Sequence, residues 1–174
     1  MKKENIALIG FAGCGKTSAG ARLSEILGFA FIDTDSAVEE RAGLPIPLIF
    51  EKFGEARFRE LEAEITAEAA RSGGAVIATG GGVIKNPENM RVLKESGKVV
   101  YMRVGAEEIY ERLRDDNSRP LLLAEDKLGR IRQLMDERAP VYEKYADISA
   151  DVGALPPEGA ARLIISRLGG EGNV

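Results

Sequence analysis

GFAGCGKT, Gly10 to Thr17, is the stretch whose reading decides the fold of this chain. It has the spacing Gly-x4-Gly-Lys-Thr and follows a short apolar run, Ile6 to Ile9, of the kind that forms a buried parallel strand. After it, TSAGARLSEIL (17–27) has helical periodicity, with Ala21, Leu23, Ile26 and Leu27 near one face and Gly28 as the stop. In a strand–loop–helix context these glycines let the backbone wrap around an anion, with N–H groups pointing inward at a helix N-terminus. Gly13, Cys14, Gly15, Lys16, Thr17 and Ser18 are therefore candidates to hold a nucleotide's phosphates. Lys16 acts as a point charge on the β- and γ-phosphates, and Thr17 offers its hydroxyl to Mg²⁺. A dinucleotide-binding turn would need glycine at position 12, where the chain has Ala12. Cys14 reads as a small loop residue whose N–H matters more than its thiol.

The same letters can be read as an export signal ending at Cys14. Against that, the apolar stretch is short, Gly10 interrupts it, and Glu4 sits in what should be a positive segment. Helix-forming sequence also follows at once, with no polar tether. A cytoplasmic chain is expected. At 174 residues, 44% hydrophobic and 30% charged, it should fold as one domain with a real core. A net charge of −4 argues against nucleic acid as the main partner. No apolar run approaches the roughly 20 residues that span a bilayer, so no membrane partner is expected. Histidine is absent and cysteine occurs once, which excludes a Ser-His-Asp hydrolase, a disulfide and a multi-thiolate metal site. Proton transfer falls to carboxylates, Lys, Tyr, the thiol or water.

Further strands are expected at FAFID (29–33), AVIATGGG (75–82), KVVYMRV (98–104) and DISAD (147–151). Helices are expected at 35–42, 45–53, 54–74, 106–114, 127–145 and 156–168, with a fraying tail, GGEGNV. Strands alternating with helices imply a three-layer α/β/α fold around a five-stranded parallel sheet. Loops 10–17, 33–35 and 80–82 each follow a strand, so they should meet at one edge of the sheet, where such folds bind ligands.

Those loops hold the remaining candidates. Asp33-Thr34-Asp35 offers two carboxylates at a strand mouth: one can hold Mg²⁺ through water while the other orients a substrate hydroxyl, or the triplet is an ordinary helix cap. Arg59 and Glu62 share a helix face and Arg57 points elsewhere; taken alone, such a pair is usually a solvated surface ion pair. Gly80, Gly81 and Gly82 remove every side chain at a strand end, permitting a ligand to lie against the backbone. Arg119 sits in a polar loop suited to be a lid, and Arg138 precedes Ala139-Pro140.

In order along the chain, the phosphate loop, DTD, GE-x-x-FR-x-x-E, GGG, RPLL and RAPxY resemble the shikimate kinase family. Each piece after the loop is common; the ordered set is specific. The resemblance implies a nucleoside monophosphate kinase-like P-loop fold, with ATP and Mg²⁺ used to phosphorylate the 3-hydroxyl of shikimate. It implies Lys16, Asp35 and Arg119 as catalytic residues. Asp35, Arg59, Gly80, Gly81, Gly82 and Arg138 would form the shikimate site, with Glu62 bracing Arg59. Thr17 and Asp33 would serve the metal, and Arg112 would stack on adenine with Pro157 facing it. A substrate-binding segment (35–61) and a lid (114–125) would move against a core of 1–34, 62–113 and 126–170, in a monomer. Cys14 stands where Ser is usual and Thr17-Ser18 where Ser-Thr is usual; both keep the needed size or hydroxyl.

The chemistry agrees with that resemblance. Guanidinium groups grip a carboxylate bidentately, and Asp35 suits hydroxyls. The rivals are a kinase of another small acceptor, such as gluconate or a nucleoside monophosphate, and a regulatory GTP-binding switch. The switch needs Asn-Lys-x-Asp for guanine, which the chain lacks.

Overall fold

Alternation within the strands builds the layers. In β1 (Asn5–Ile9), Ile6 and Leu8 point to one face while Ala7 and Ile9 point to the other, and both pairs are buried in separate clusters. The computed structural model describes residues 4–169. In chain order β1 is followed by α1 (Lys16–Leu27), β2 (Ala30–Asp33), α2 (Thr34–Ala42), α3 (Ile46–Ala70) and β3 (Ala75–Ala78). Then come α4 (Pro87–Ser96), β4 (Gly97–Arg103), α5 (Ala106–Leu113), α6 (Lys127–Tyr145), β5 (Ile148–Asp151) and α7 (Pro157–Gly169). Short 3-10 turns cover Val83–Lys85 and Pro120–Leu122.

All strand pairs are parallel, in the order β2-β3-β1-β4-β5, as the alternation of strands and helices required. One face of the sheet packs on α1, α5, α7 and the first half of α6, through Leu23, Ile109, Ile164 and Ile131. The other face meets Ala69 of α3, Met90 and Leu93 of α4, and Tyr142 of α6. A third cluster, Val38, Ile49, Phe58, Leu61 and Ile65, belongs to α2 and α3 alone. The chain leaves β1 toward one sheet edge and later crosses to the other, so the crevice between the carboxyl ends of β1 and β3 is the topological switch point, the place where open α/β sheets as a class bind ligands.

Three features depart from the sequence reading. No helix was expected between the third and fourth strands, yet α4 fills that crossover, with Pro87 in its first turn and Asn86 Oδ1 accepting from the Glu88 N–H at 3.0 Å. The helices expected at 45–53 and 54–74 form one run, α3, broken inside at Gly54 (φ 83°, ψ 168°). The buried stripe of α1 is Lys16, Ala19, Gly20, Leu23 and Ser24, and Ile26 faces outward. The reason is close packing: a methyl on Gly20 would lie 2.9 Å from the Phe31 ring, so the small residues Ala19 and Gly20 share the sheet-facing side with Leu23. The expected fraying of the tail past Gly169 lies outside the described residues. Among those residues no helix is long and apolar enough to cross a membrane.

Candidate active site

At the switch point the phosphate loop and the triple glycine touch. A methyl on Gly81 would stand 3.1 Å from the Ala12 backbone nitrogen, so a side chain at that position would press on the loop backbone. The loop closes by a turn in which the Cys14 N–H donates to the Phe11 carbonyl at 3.2 Å, and Gly15, at φ 92°, caps α1. Lys16 is buried. Its ammonium donates to the carbonyls of Gly10 at 2.7 Å and Phe11 at 2.9 Å, and contacts Cys14 Sγ at 3.4 Å. Cys14 itself is buried in the core beneath the loop, with its N–H committed to the turn. Thr17 and Ser18 are exposed in the first turn of α1.

All three residues of the Asp-Thr-Asp triplet are engaged. Asp33 caps α2 by accepting from the Ser36 N–H at 3.0 Å, and its other oxygen accepts from the Thr17 hydroxyl at 2.5 Å. Asp33, the carboxylate expected to serve the metal, is thus also the helix cap. Thr34 is buried and accepts from the Gly80 N–H at 3.3 Å. Asp35 lies over Gly80, where a methyl would come within 2.7 Å of its Oδ1. Burial and the charge of Asp33 push the Asp35 carboxyl above its ordinary range, and Lys16 and Arg119 oppose that rise.

Arg59 occupies the space over Gly82, where a methyl would be 2.5 Å from its Nη1. It stacks 5.0 Å above the Phe58 ring and donates to Glu62 Oε2 at 2.7 Å and to Glu55 Oε1 at 3.2 and 3.3 Å. Glu62 is buried, its Oε1 has no partner among the described residues, and burial raises its pKa against the pull of Arg59. Arg57 pairs with Glu60 at the surface instead. The triple glycine was expected to admit a ligand against the backbone; above Gly80 and Gly82 it is the protein's own Asp35, Glu62 and Arg59 that lie close.

Across the cleft, Arg138 of α6 sits 5.6 Å over the Phe11 ring and beside Tyr142. The Tyr142 hydroxyl donates to the Gly81 carbonyl, and its ring stacks on Tyr101 at 5.0 Å, so α6 is tied to the glycine run. Arg119 enters from the loop after α5, its Nε 3.4 Å from Asp116 Oδ2. Together Thr17, Asp33, Asp35, Arg59, Glu62, Gly80, Gly81, Gly82, Arg119 and Arg138 line one cavity of about 350 Å³. Arg112 lies on the far side of the loop, donating to the carbonyls of Gly13 at 3.0 Å and Gly153 at 2.7 Å and to Glu108 at 2.5 Å. Pro157 is exposed at the start of α7, in the chain just beyond Gly153.

Sequence reasoning left out Phe11, Thr34, Glu55, Phe58 and Tyr142. Phe58, Glu55 and Tyr142 stood inside the quoted motifs, and Thr34 was the middle letter of its triplet. Their roles are bracing contacts, which residue type alone does not announce.

A family model described as shikimate kinase matches residues 12–169. The shikimate kinase of Thermodesulfovibrio yellowstonii is 45% identical over 162 residues, 93% of this chain and 93% of that protein. A solved shikimate kinase from Acinetobacter baumannii, in complex with shikimate, superposes with a TM-score of 0.95 at 35% identity, covering 99% of this chain and 96% of that one. A gluconokinase from Sinorhizobium meliloti has a TM-score of 0.57 at 16% identity, covering 97% of this chain and 94% of its own, a likeness of fold alone. The family match runs from inside the phosphate loop through the triple glycine to the last helix, and so the chain belongs to the shikimate kinase family.

Proposed function

We propose that this chain transfers the terminal phosphoryl group of ATP to the 3-hydroxyl of shikimate. One observation carries the reading: Phe11, Ala12 and Thr17 of the glycine-rich loop line the same cleft as Asp35, Arg59, Arg119 and Arg138, with Asp35 over Gly80. The loop N–H groups and Lys16 hold the phosphates. Arg59 and Arg138 grip the acceptor's carboxylate, with Glu62 fixing the fork of Arg59. Asp35 takes the hydroxyl proton as the hydroxyl oxygen bonds to phosphorus and the bond to the ADP leaving oxygen breaks; burial makes this carboxylate a better proton acceptor than an exposed one. Lys16 and Arg119 neutralise charge on the phosphoryl group, the main demand of a loose transition state. Arg112 and Pro157 flank the adenine.

Among the described residues, no group of three His, Cys, Asp or Glu side chains could hold a metal by itself. The paired oxygens of Thr17 and Asp33 suit Mg²⁺, which keeps much of its water shell and needs few protein ligands. When bound with the nucleotide, Mg²⁺ would screen the phosphate charges. Segments 35–61 and 114–125 close over the substrates. The small cluster of Val38, Ile49, Phe58 and Leu61 in the first segment, the break at Gly54 and the 3-10 turn in the second support that division. The chain acts as a monomer and works in the cytoplasm, which suits an ATP-consuming enzyme with one buried thiol.

The test offers purified protein, ATP and Mg²⁺ to shikimate, gluconate and a nucleoside monophosphate in turn, with ADP release measured. Turnover is expected with shikimate, and Asp35→Asn should cut it by about two to four orders of magnitude. Turnover of gluconate or the nucleotide without shikimate activity would overturn the reading.

A further inference from the structure

Arg59 is held by two carboxylates, and they are not equivalent. Glu62 is buried and dedicated to it, whereas Glu55 is half exposed and shared. The same Glu55 oxygen that accepts from Arg59 at 3.2 and 3.3 Å accepts from Lys85 Nζ at 2.8 Å. Lys85 ends the 3-10 turn that follows the triple glycine, and Glu55 directly follows the break at Gly54. The pair therefore bridges the acceptor-side helix to the glycine run. Hydrogen bonding to Lys85 is also the main reason the Glu55 carboxyl sits below its ordinary range, ahead of Arg59.

The charge balance gives this contact a consequence. A guanidinium flanked by two carboxylates has little net positive charge to offer an incoming carboxylate. A second cation on Glu55 restores some of it. We propose that Lys85, which does not line the cleft, is a positioning residue for acceptor recognition: it holds the Glu55 carboxylate and thereby leaves the Arg59 fork available to the acceptor's carboxylate. The inference rests on the reading that Arg59 receives that carboxylate.

Shikimate and ATP dissociation constants are to be measured by calorimetry for Lys85→Met, Lys85→Arg, Glu55→Gln and the double variant Glu55→Gln/Lys85→Met. Because the pair is half exposed, Lys85→Met is expected to weaken shikimate binding roughly two- to fivefold. ATP affinity should not change, Lys85→Arg should restore shikimate binding, and the loss should shrink at high salt. With Glu55 uncharged nothing remains for Lys85 to hold, so the double variant should match Glu55→Gln alone. Unchanged shikimate affinity in Lys85→Met would overturn the proposal, as would an equal loss in the Glu55→Gln background. Arg59→Lys separates the two levels. If it leaves shikimate affinity intact, the acceptor-site reading fails. If it weakens binding while Lys85→Met does not, only the role of Lys85 fails.

Discussion

Gly82 adopts φ −97°, a value open to any residue, so its need for glycine comes from space. A methyl there would meet the Arg59 guanidinium at 2.5 to 2.8 Å. That group is the far end of a flexible side chain, so it gives way rather than the backbone, at the cost of its pair with the buried Glu62. It would then leave its place in the cleft. Gly82→Ala should therefore fold, less stably than the parent protein, while the Michaelis constant for shikimate rises about ten- to a hundredfold, the loss of one charged hydrogen bond. An unchanged Michaelis constant in steady-state assays would show that Arg59 does not hold the acceptor. Gly10 differs: its added methyl would sit 2.6 Å from the Met102 carbonyl, a backbone atom of β4 that cannot swing aside.

At the scale of elements, α3 is two half-helices joined at Gly54, whose φ 83° and ψ 168° fall in a region used almost solely by glycine. Nothing crowds this residue, so a side chain there meets backbone strain alone. Gly54→Ala must either keep the break, at about 1–3 kcal/mol, or straighten the helix and carry Ile46 to Phe53 away from the cleft. The expected outcome is lower stability in urea together with weaker shikimate binding and unaltered ATP binding. Equal weakening for both substrates would mean that the break serves the whole fold. The sequence showed this break as a boundary between two helices, because glycine is a stop signal. It could not show that the helices stay joined. The missing α4 was legible in principle from Asn86-Pro87, a capping residue followed by proline, although its apolar residues are few.

For the whole molecule, burying Asp35 and Glu62 to make the site opposes folding. Both carboxyls are raised from ordinary values of 3.8 and 4.5, chiefly by burial. A raised folded pKa adds stability that is complete below the unfolded value and is lost as pH climbs through the folded one. Asparagine at position 35 does not titrate. Asp35→Asn, although impaired in turnover, should thus be more stable than the parent, with the gap in urea midpoint widening as pH rises from about 4 toward neutrality. A constant gap across that range would mean that Asp35 folds without a desolvation cost. The exposed pairs at Glu88, Glu107 and Glu158 are shifted the opposite way but lie in water, where ion pairs contribute little.

Local chemistry written in consecutive letters was readable without coordinates: the phosphate loop, the five strands, the glycine run, and Arg59, Arg119 and Arg138 in the three later motifs. Phosphate binding, strand formation and turn formation depend on residues within a few positions of one another, so spacing alone carries them. The tertiary structure decided which side chain braces which: Thr34 on Gly80, Tyr142 on Gly81, and Glu55 divided between Arg59 and Lys85. Those contacts join elements up to 61 positions apart, and they exist only once the parallel sheet has brought the carboxyl ends of β1, β2 and β3 to one edge.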